Sequence, residues 1–238
     1  MLDPFAEGEL NLGFNAQDSF DAVTANRRRW RTALAGKRER LGRPTGLVTL
    51  KQMHSSLTRR VGAADARERA SLWGDGLITD EPGVLLGIQT ADCLPILIAD
   101  TRRRAVGAFH AGWRGTLKGV VERGIESMRK DFGSEPRDMV AAIGPGIGPC
   151  CFEVGDEVRR PFAERYSYAP ELFSAEGKPR LDLVEANRRQ LLSAGLSPEA
   201  VFAIRECTSC RTDLFFSYRA EHGRTGRMMA GIGIRDCQ

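Results

Sequence analysis

The chain has three histidines, and two stand in segments with the composition of site loops: His54 in K-Q-M-H-S and His110 in F-H-A-G-W-R-G. Cys93 lies between them in T-A-D-C-L-P. Two imidazoles and a thiolate make a nitrogen–nitrogen–sulfur donor set. Three protein ligands leave a fourth tetrahedral position for water or substrate, which separates catalytic zinc sites from closed structural ones. The expected cofactor is therefore one zinc ion on His54, Cys93 and His110. The intervals between them match no local motif such as H-E-x-x-H, so only the fold brings them together. His222 lies apart, in a polar stretch near the end.

Each candidate has a blander reading. Cys93 is also readable as a small buried thiol between strands, as unpaired cysteines often are. Asp92 before it and Pro95 after it mark a turn instead, and a carboxylate is ill placed in a dry core. Without metal, Cys93 and His110 read as a nucleophile–base pair, the chemistry of a cysteine hydrolase. H-A-G-W-R-G serves as a tight turn with Trp113 as a core plug, or as an anion pocket. Gly112 and Gly115 admit close backbone approach, the next helix turns its free N–H groups toward the loop, and Arg114 grips phosphate in two places. Asp75 in W-G-D-G-L-I-T-D is a turn residue or a site carboxylate. Gln89 orients a purine or water, or satisfies a strand edge. Arg219, Arg224 and Arg227 assist an anion or sit on a solvated hairpin. Cys207 and Cys210 in C-T-S-C lack a second C-x-x-C, and adjacent Cys150 and Cys151 do not supply one, so packing is their expected role.

The elements that must position these residues follow from apolar spacing. Asp18 or Ser19 caps a helix through Val23, Asn26, Trp30, Ala33 and Leu34, ended by Gly36. Leu47 to Leu50 reads as a strand delivering Gln52 and His54 to its end. Val84 to Ile88 and Leu94 to Ile98 read as buried strands flanking T-A-D-C, and Ala105 to His110 as a strand ending on a ligand. Leu117, Val120, Val121, Ile125, Met128 and Phe132 fall on one helical stripe closed by Gly133. Met139 to Ile143 is a strand, Glu153 to Tyr166 a helix kinked at Pro161, and Asp182 caps a helix that stops at Gly195. Val201 to Arg205 and Arg227 to Ile234 are the last strands. Strands alternating with helices place the chain in the α/β class.

Composition narrows the function classes. With 35 basic and 31 acidic residues among 238, the charge is nearly balanced. Arg27–Arg29 and Arg102–Arg104 read as a solvated helix face and a solvated turn, because no aromatic platform accompanies them; nucleic acid is not an expected partner. No basic leader or membrane-length apolar run is visible, and six cysteines without an export signal suit reduced thiols in a cytoplasm.

Together K-Q-M-H-S, D-G-L-I-T, Q-T-A-D-C-L-P-I, H-A-G-W-R-G, I-G-P-G-I-G-P-C-C-F-E-V, L-D-L…N and C-T…F-F-S-Y-R…T-G-R resemble the bacterial laccase-domain family. That family was formerly classed as multicopper polyphenol oxidases and is now described as purine nucleoside phosphorylases. The resemblance implies a single domain over residues 1–238, with a layered α-β-β-α sandwich of mixed sheets related to the cytotoxic necrotizing factor catalytic domain. It implies zinc on His54, Cys93 and His110. It further implies phosphorolysis of adenosine, inosine or methylthioadenosine, and deamination of adenosine, with Asp75 or Asp92 moving the proton. Gln89, Arg114, Gly115 and Arg219 are the expected substrate and phosphate contacts. Some members are described as peptidoglycan-editing factors, which makes a cell-wall role an alternative. The expected partners are a nucleoside and phosphate, with no membrane, and the chain is expected to act as a monomer. The family's early T-R-x-G-G-like motif has no counterpart before L-N-L-G-F, so Arg114 or another residue takes over its arginine, or the start lies upstream. Three histidines and no H-x-H pair cannot ligate a four-copper set; a single copper ion is the most the donors allow.

Overall fold

The protein is described here by a computed structural model covering residues 10–14, 18–35, 46–67, 69–175 and 177–235. Two sheets lie face to face between helices. Strands β1 (Gly46–Thr49), β4 (Val84–Thr90) and β9 (Met228–Gly233) form the smaller sheet, in the order β1-β4-β9. The larger runs β2-β3-β6-β5-β7-β8, from β2 (Thr58–Arg60), β3 (Gly76–Thr79), β5 (Leu94–Asp100), β6 (Ala105–Ala111), β7 (Met139–Ile143) and β8 (Val201–Ala203). Both are mixed: β1–β4, β2–β3 and β7–β8 pair parallel and the other neighbours antiparallel. The layered α-β-β-α arrangement is as expected.

Alternation along the strands sorts side chains between two cores. Ile78, Leu94, Ile96, Ile98 and Phe109 join Val121, Ile125 and Met128 of helix α3 (Val120–Phe132) and Leu191 of α5 (Leu183–Ser193) on one side of the larger sheet. Leu77, Val106 and Ala108 point the other way, into the layer shared with Val48, Leu50, Leu86 and Ile88 of the smaller sheet. Helix α1 (Phe20–Ala35) covers the far side of that sheet through Trp30, against Leu47, Leu85 and Met229. Every residue of β6 is buried, which suits its place between β3 and β5.

Caps explain several boundaries. Ser19 Oγ accepts the Ala22 N–H at 3.1 Å, and Asp182 Oδ1 accepts the Glu185 N–H at 2.8 Å. The expected stop at Gly36 lies outside the described residues. Gly133, at φ 66°, ends α3 as expected. Helix α4 (Asp156–Arg165) carries Pro161 inside it.

Two expectations are corrected, and one strand carries no signal in the sequence. The helix thought to run unbroken through Leu117 and Phe132 is two helices. Gly119, at φ 72°, separates the five-residue α2 (Trp113–Leu117) from α3. Arg27 is not on a solvated face: it is 2% exposed, stacks 4.3 Å from the Phe14 ring, and donates Nε–H to the Leu12 carbonyl at 2.9 Å. Strand β2 had no apolar alternation to mark it, since T-R-R offers only half-buried and exposed positions.

Candidate metal centre and cleft

Register builds the site. Gly76 pairs with Phe109 across β3 and β6, so Asp75 falls opposite His110, whose N–H donates to the Asp75 carbonyl at 2.7 Å. On the other side of β6, Pro95 pairs with His110 and Leu94 with Ala111, which sets Cys93 beside Gly112. By alternation Asp75, Cys93 and His110 share the face that carries Leu77, Leu97 and Ala108, the face turned to the smaller sheet. The segment leaving β1 supplies His54, in the left-handed region at φ 58°.

The ligand atoms of His54, Cys93 and His110 lie within 4.8 Å of one another. Cys93 Sγ is 4.0 Å from His54 Nε2, and the two imidazoles meet edge to face with centroids 5.0 Å apart. A tetrahedral zinc with bonds of about 2.0–2.3 Å separates such donors by roughly 3.5 Å, so small side-chain shifts suffice. His54 is exposed, Cys93 half-buried and His110 buried, which leaves an open side toward solvent. The donors fit a single metal ion.

Asp75 organises the trio from beneath. It is fully buried, and Oδ1 accepts His110 Nδ1–H at 2.8 Å. Its oxygens also accept the backbone N–H groups of Met53, His54 and Ser55 and the Ser55 hydroxyl. One carboxylate thus fixes both histidines: His110 in the tautomer that frees Nε2, and His54 through its loop. Burial opposes the charge on Asp75, but His110 and Ser55 outweigh it and hold the carboxyl at about 2. Burial likewise opposes ionisation of Cys93, yet His110 and then His54 bring it down to about 6. His110 moves the other way: burial disfavours its cation, while Cys93 and Asp75 raise it to about 9.

The two aspartates expected to move the proton are both held by donors. Asp75 is saturated with donors. Asp92, at φ 83°, accepts Thr208 Oγ1–H at 2.7 Å, Ser217 Oγ–H at 2.8 Å and the Arg219 N–H at 2.7 Å. Its work is to anchor residues 208–219 against the T-A-D-C turn. Gly115 is also reassigned. It is buried and does not line the cleft; a Cβ there would stand 3.2 Å from the His110 and Ser55 carbonyls, so it lets α2 pack under the ligand loop. The α2 helix is too short to present a strong positive end, which leaves the anion role to side chains.

A cleft of about 630 Å³ opens over the trio. Gln89, Arg114 and Arg219 line it, with Trp113, Ile147, Phe152, Leu183, Tyr218 and Arg227. Arg114 stacks 4.2 Å from the Trp113 ring. Arg219 spans the cleft rim, donating to the Cys151 and Glu153 carbonyls at 3.3 and 3.1 Å. The Gln89 backbone exchanges two hydrogen bonds with the Gln52 side chain, tying β4 to the His54 loop. Spacing alone left Phe152 and Tyr218 unassigned; their ring types in glycine- and polar-rich loops were the available signal.

Gly112 keeps the trio clear. A Cβ there would meet Cys93 Sγ at 2.7 Å and His54 Cδ2 at 3.1 Å, while its φ of −79° suits any residue. Gly112→Ala is therefore expected to weaken metal binding by up to about a hundredfold by displacing the thiolate, with the fold little changed. Chelator competition measures it; an unchanged affinity would remove Gly112 from this role.

An α/β sandwich with an open two-imidazole, one-thiolate centre at the base of a cleft is the framework of a candidate mononuclear metalloenzyme. Residues 3–235 match the family described as multi-copper polyphenol oxidoreductase laccase, and the chain belongs to that family. It is 40% identical over 242 residues to purine nucleoside phosphorylase YlmD of Geobacillus stearothermophilus, covering 98% of this chain and 85% of that one. It is 36% identical over 195 residues to adenosine deaminase RL5, from an unknown prokaryotic organism, covering 78% and 74%. The crystal structure of YlmD from Geobacillus stearothermophilus superposes with a TM-score of 0.88 at 38% identity, covering 98% and 87%. Among the described residues no helix is long and apolar enough to cross a membrane.

Proposed function

We propose that this protein is a cytoplasmic zinc enzyme of purine nucleosides, catalysing phosphorolysis to free base and ribose 1-phosphate and deaminating adenosine. The observation that carries the reading is the convergence of His54, Cys93 and His110 at the base of a cleft lined by arginines and aromatic rings. Similarity to a purine nucleoside phosphorylase and an adenosine deaminase supplies the substrate class. Zinc held by the three residues would supply Lewis acidity, acidifying water and polarising oxygen or nitrogen at the reacting centre.

The chain's own groups do the rest. Trp113, Phe152 and Tyr218 offer ring faces for a purine, and the apolar Leu50, Ile147 and Leu183 exclude water around it. Arg114 and Arg219 place phosphate against the anomeric carbon. A phosphate oxygen forms the new bond to that carbon as the glycosidic bond breaks, and the purine leaves with the proton that the hydrogen phosphate gives up. In deamination water adds at C6 and ammonia departs. Asp75 contributes by holding His110 and the His54 loop, not by carrying the proton.

Arg114→Ala is expected to raise the KM for phosphate about tenfold, with a smaller effect on deamination, which consumes no phosphate. A phosphate KM equal to wild type would move the anion site elsewhere in the cleft. The function itself is tested by chromatography of nucleosides incubated with and without phosphate. Phosphate-dependent release of free base supports it; rates no better than those of a His54→Ala, Cys93→Ala, His110→Ala variant would overturn it.

One observation favours a second reading. Cys93, held near 6, and His110, raised to about 9, form a thiolate–imidazolium pair near neutrality when metal-free. That is the resting state of a cysteine hydrolase. Elemental analysis separates the two: metal-free active protein inactivated by alkylation at Cys93 favours the hydrolase.

A further inference from the structure

Four cysteines that the cleft chemistry does not use converge on the far side of its wall. Cys150 and Cys151 come from the loop G-P-G-I-G-P-C-C, and Cys207 and Cys210 from C-T-S-C. Spacing gave them no common role, yet all four sulfurs lie within 4.8 Å of one another. Cys210 Sγ is 3.5 Å from Cys150 Sγ and 3.3 Å from Cys151 Sγ.

The backbone prepares this cluster. The segments run side by side through a bridge between Gly146 and Cys207, and the Thr208 N–H donates to the Gly146 carbonyl at 3.1 Å. After Cys207 the chain turns tightly, with the Cys210 and Arg211 N–H groups donating to the Cys207 carbonyl at 3.2 and 3.1 Å. That turn brings both C-x-x-C sulfurs to one point. The Gly148 N–H donates to Cys207 Sγ at 3.2 Å, a contact that favours a thiolate. A Cβ on Gly148 would stand 3.2 Å from the Cys207 Cβ, so glycine lets the loops close on each other.

We propose that Cys150, Cys151, Cys207 and Cys210 bind a second zinc ion, in a closed four-thiolate site that is structural. Four thiolates about a tetrahedral zinc stand roughly 3.8 Å apart, close to the separations the side chains already hold. Cys210 is nearly equidistant from two partners, which fits a shared centre better than one disulfide pair. With no ligand position open, the ion takes no part in turnover. Its effect is to clip two loops that each supply the cleft wall: Ile147 and Phe152 from one, Tyr218 and Arg219 from the other. The same seam is closed by Arg219 on the Cys151 and Glu153 carbonyls and by Asp92 on Thr208 and Ser217.

The test is metal and thiol counting on the full chain purified under reducing conditions. About two zinc ions per chain are expected, falling to about one in Cys207→Ser, Cys210→Ser and to about one in His54→Ala, Cys93→Ala. Cobalt loaded into the latter variant is expected to show intense thiolate-to-metal charge-transfer absorption. A His54→Ala, Cys93→Ala protein that keeps one zinc supports this site whatever happens to the one in the cleft. Should the double serine variant fail to fold, the count in His54→Ala, Cys93→Ala decides. Loss of the zinc from His54→Ala, Cys93→Ala overturns the proposal. So does a cysteine pair among the four found oxidised when the protein's six thiols are titrated unfolded without reductant.

Discussion

Cys93→Ala is expected to strip the cleft of its metal and lower nucleoside turnover by about a thousandfold or more, while the protein still folds. The loss equals the several kcal/mol that a positioned Lewis acid takes from a barrier of this kind. The fold survives because Cys93 is half-buried at a turn and packs in neither large cluster. A pH dependence accompanies this result. His110 in the metal-free protein keeps its proton up to about 9, so metal must displace that proton throughout the neutral range. Cys93 is already ionised above about 6, so its own proton competes only below that. Zinc affinity should fall about tenfold per unit as pH drops from 9 toward 7, and more steeply below 6 as further ligand protons compete. Chelator competition across pH 5–10 reads both slopes. A Cys93→Ala protein with wild-type turnover would remove Cys93 from the chemistry.

Asp75→Ala is expected to be the most disruptive single change in the site. It leaves His110 Nδ1–H and the Met53, His54 and Ser55 N–H groups facing a cavity where an anion stood. Removing a buried charge from its partners costs about 3–5 kcal/mol, and losing the group that orients a metal-binding histidine weakens the metal about 10–100-fold. Asp75→Asn tests the electrostatics alone, since its amide keeps one acceptor oxygen and turns N–H donors toward other donors. The acid side gives an independent check. The carboxyl of Asp75 sits at about 2 when folded, below its ordinary 3.8, so the folded state is favoured by its ionisation. That contribution, about 2 kcal/mol, is present above pH 4 and lost as pH falls through 2. Urea unfolding of wild type should weaken over that window, and Asp75→Asn should lack that component. Equal pH profiles for the two proteins would remove Asp75 as the buried anion.

How legible the site was differs residue by residue. His54, Cys93 and His110 were readable because imidazole and thiolate beside glycine and proline have few other uses, and buried strands flanking each motif were marked by apolar runs. Asp75 was noticed without its function, because nothing in W-G-D-G indicates that the next strand pairs antiparallel with β6. The four-cysteine cluster is invisible in the sequence because C-C and C-T-S-C lie far apart in the chain, and proximity of loops is not a local property. Gly119 is hidden inside an apolar stripe that continues across it, since the stripe reports a face and not a break.

Side-chain chemistry and strand periodicity are local, so the chain's order alone determined the donor set, the α/β class and the buried segments. Pairing register is long-range, and a slip of one residue turns every side chain to the opposite face. Only the folded sheets therefore decided that Asp75 stands under His110, that Asp92 anchors a loop, and that four distant thiols meet at one point.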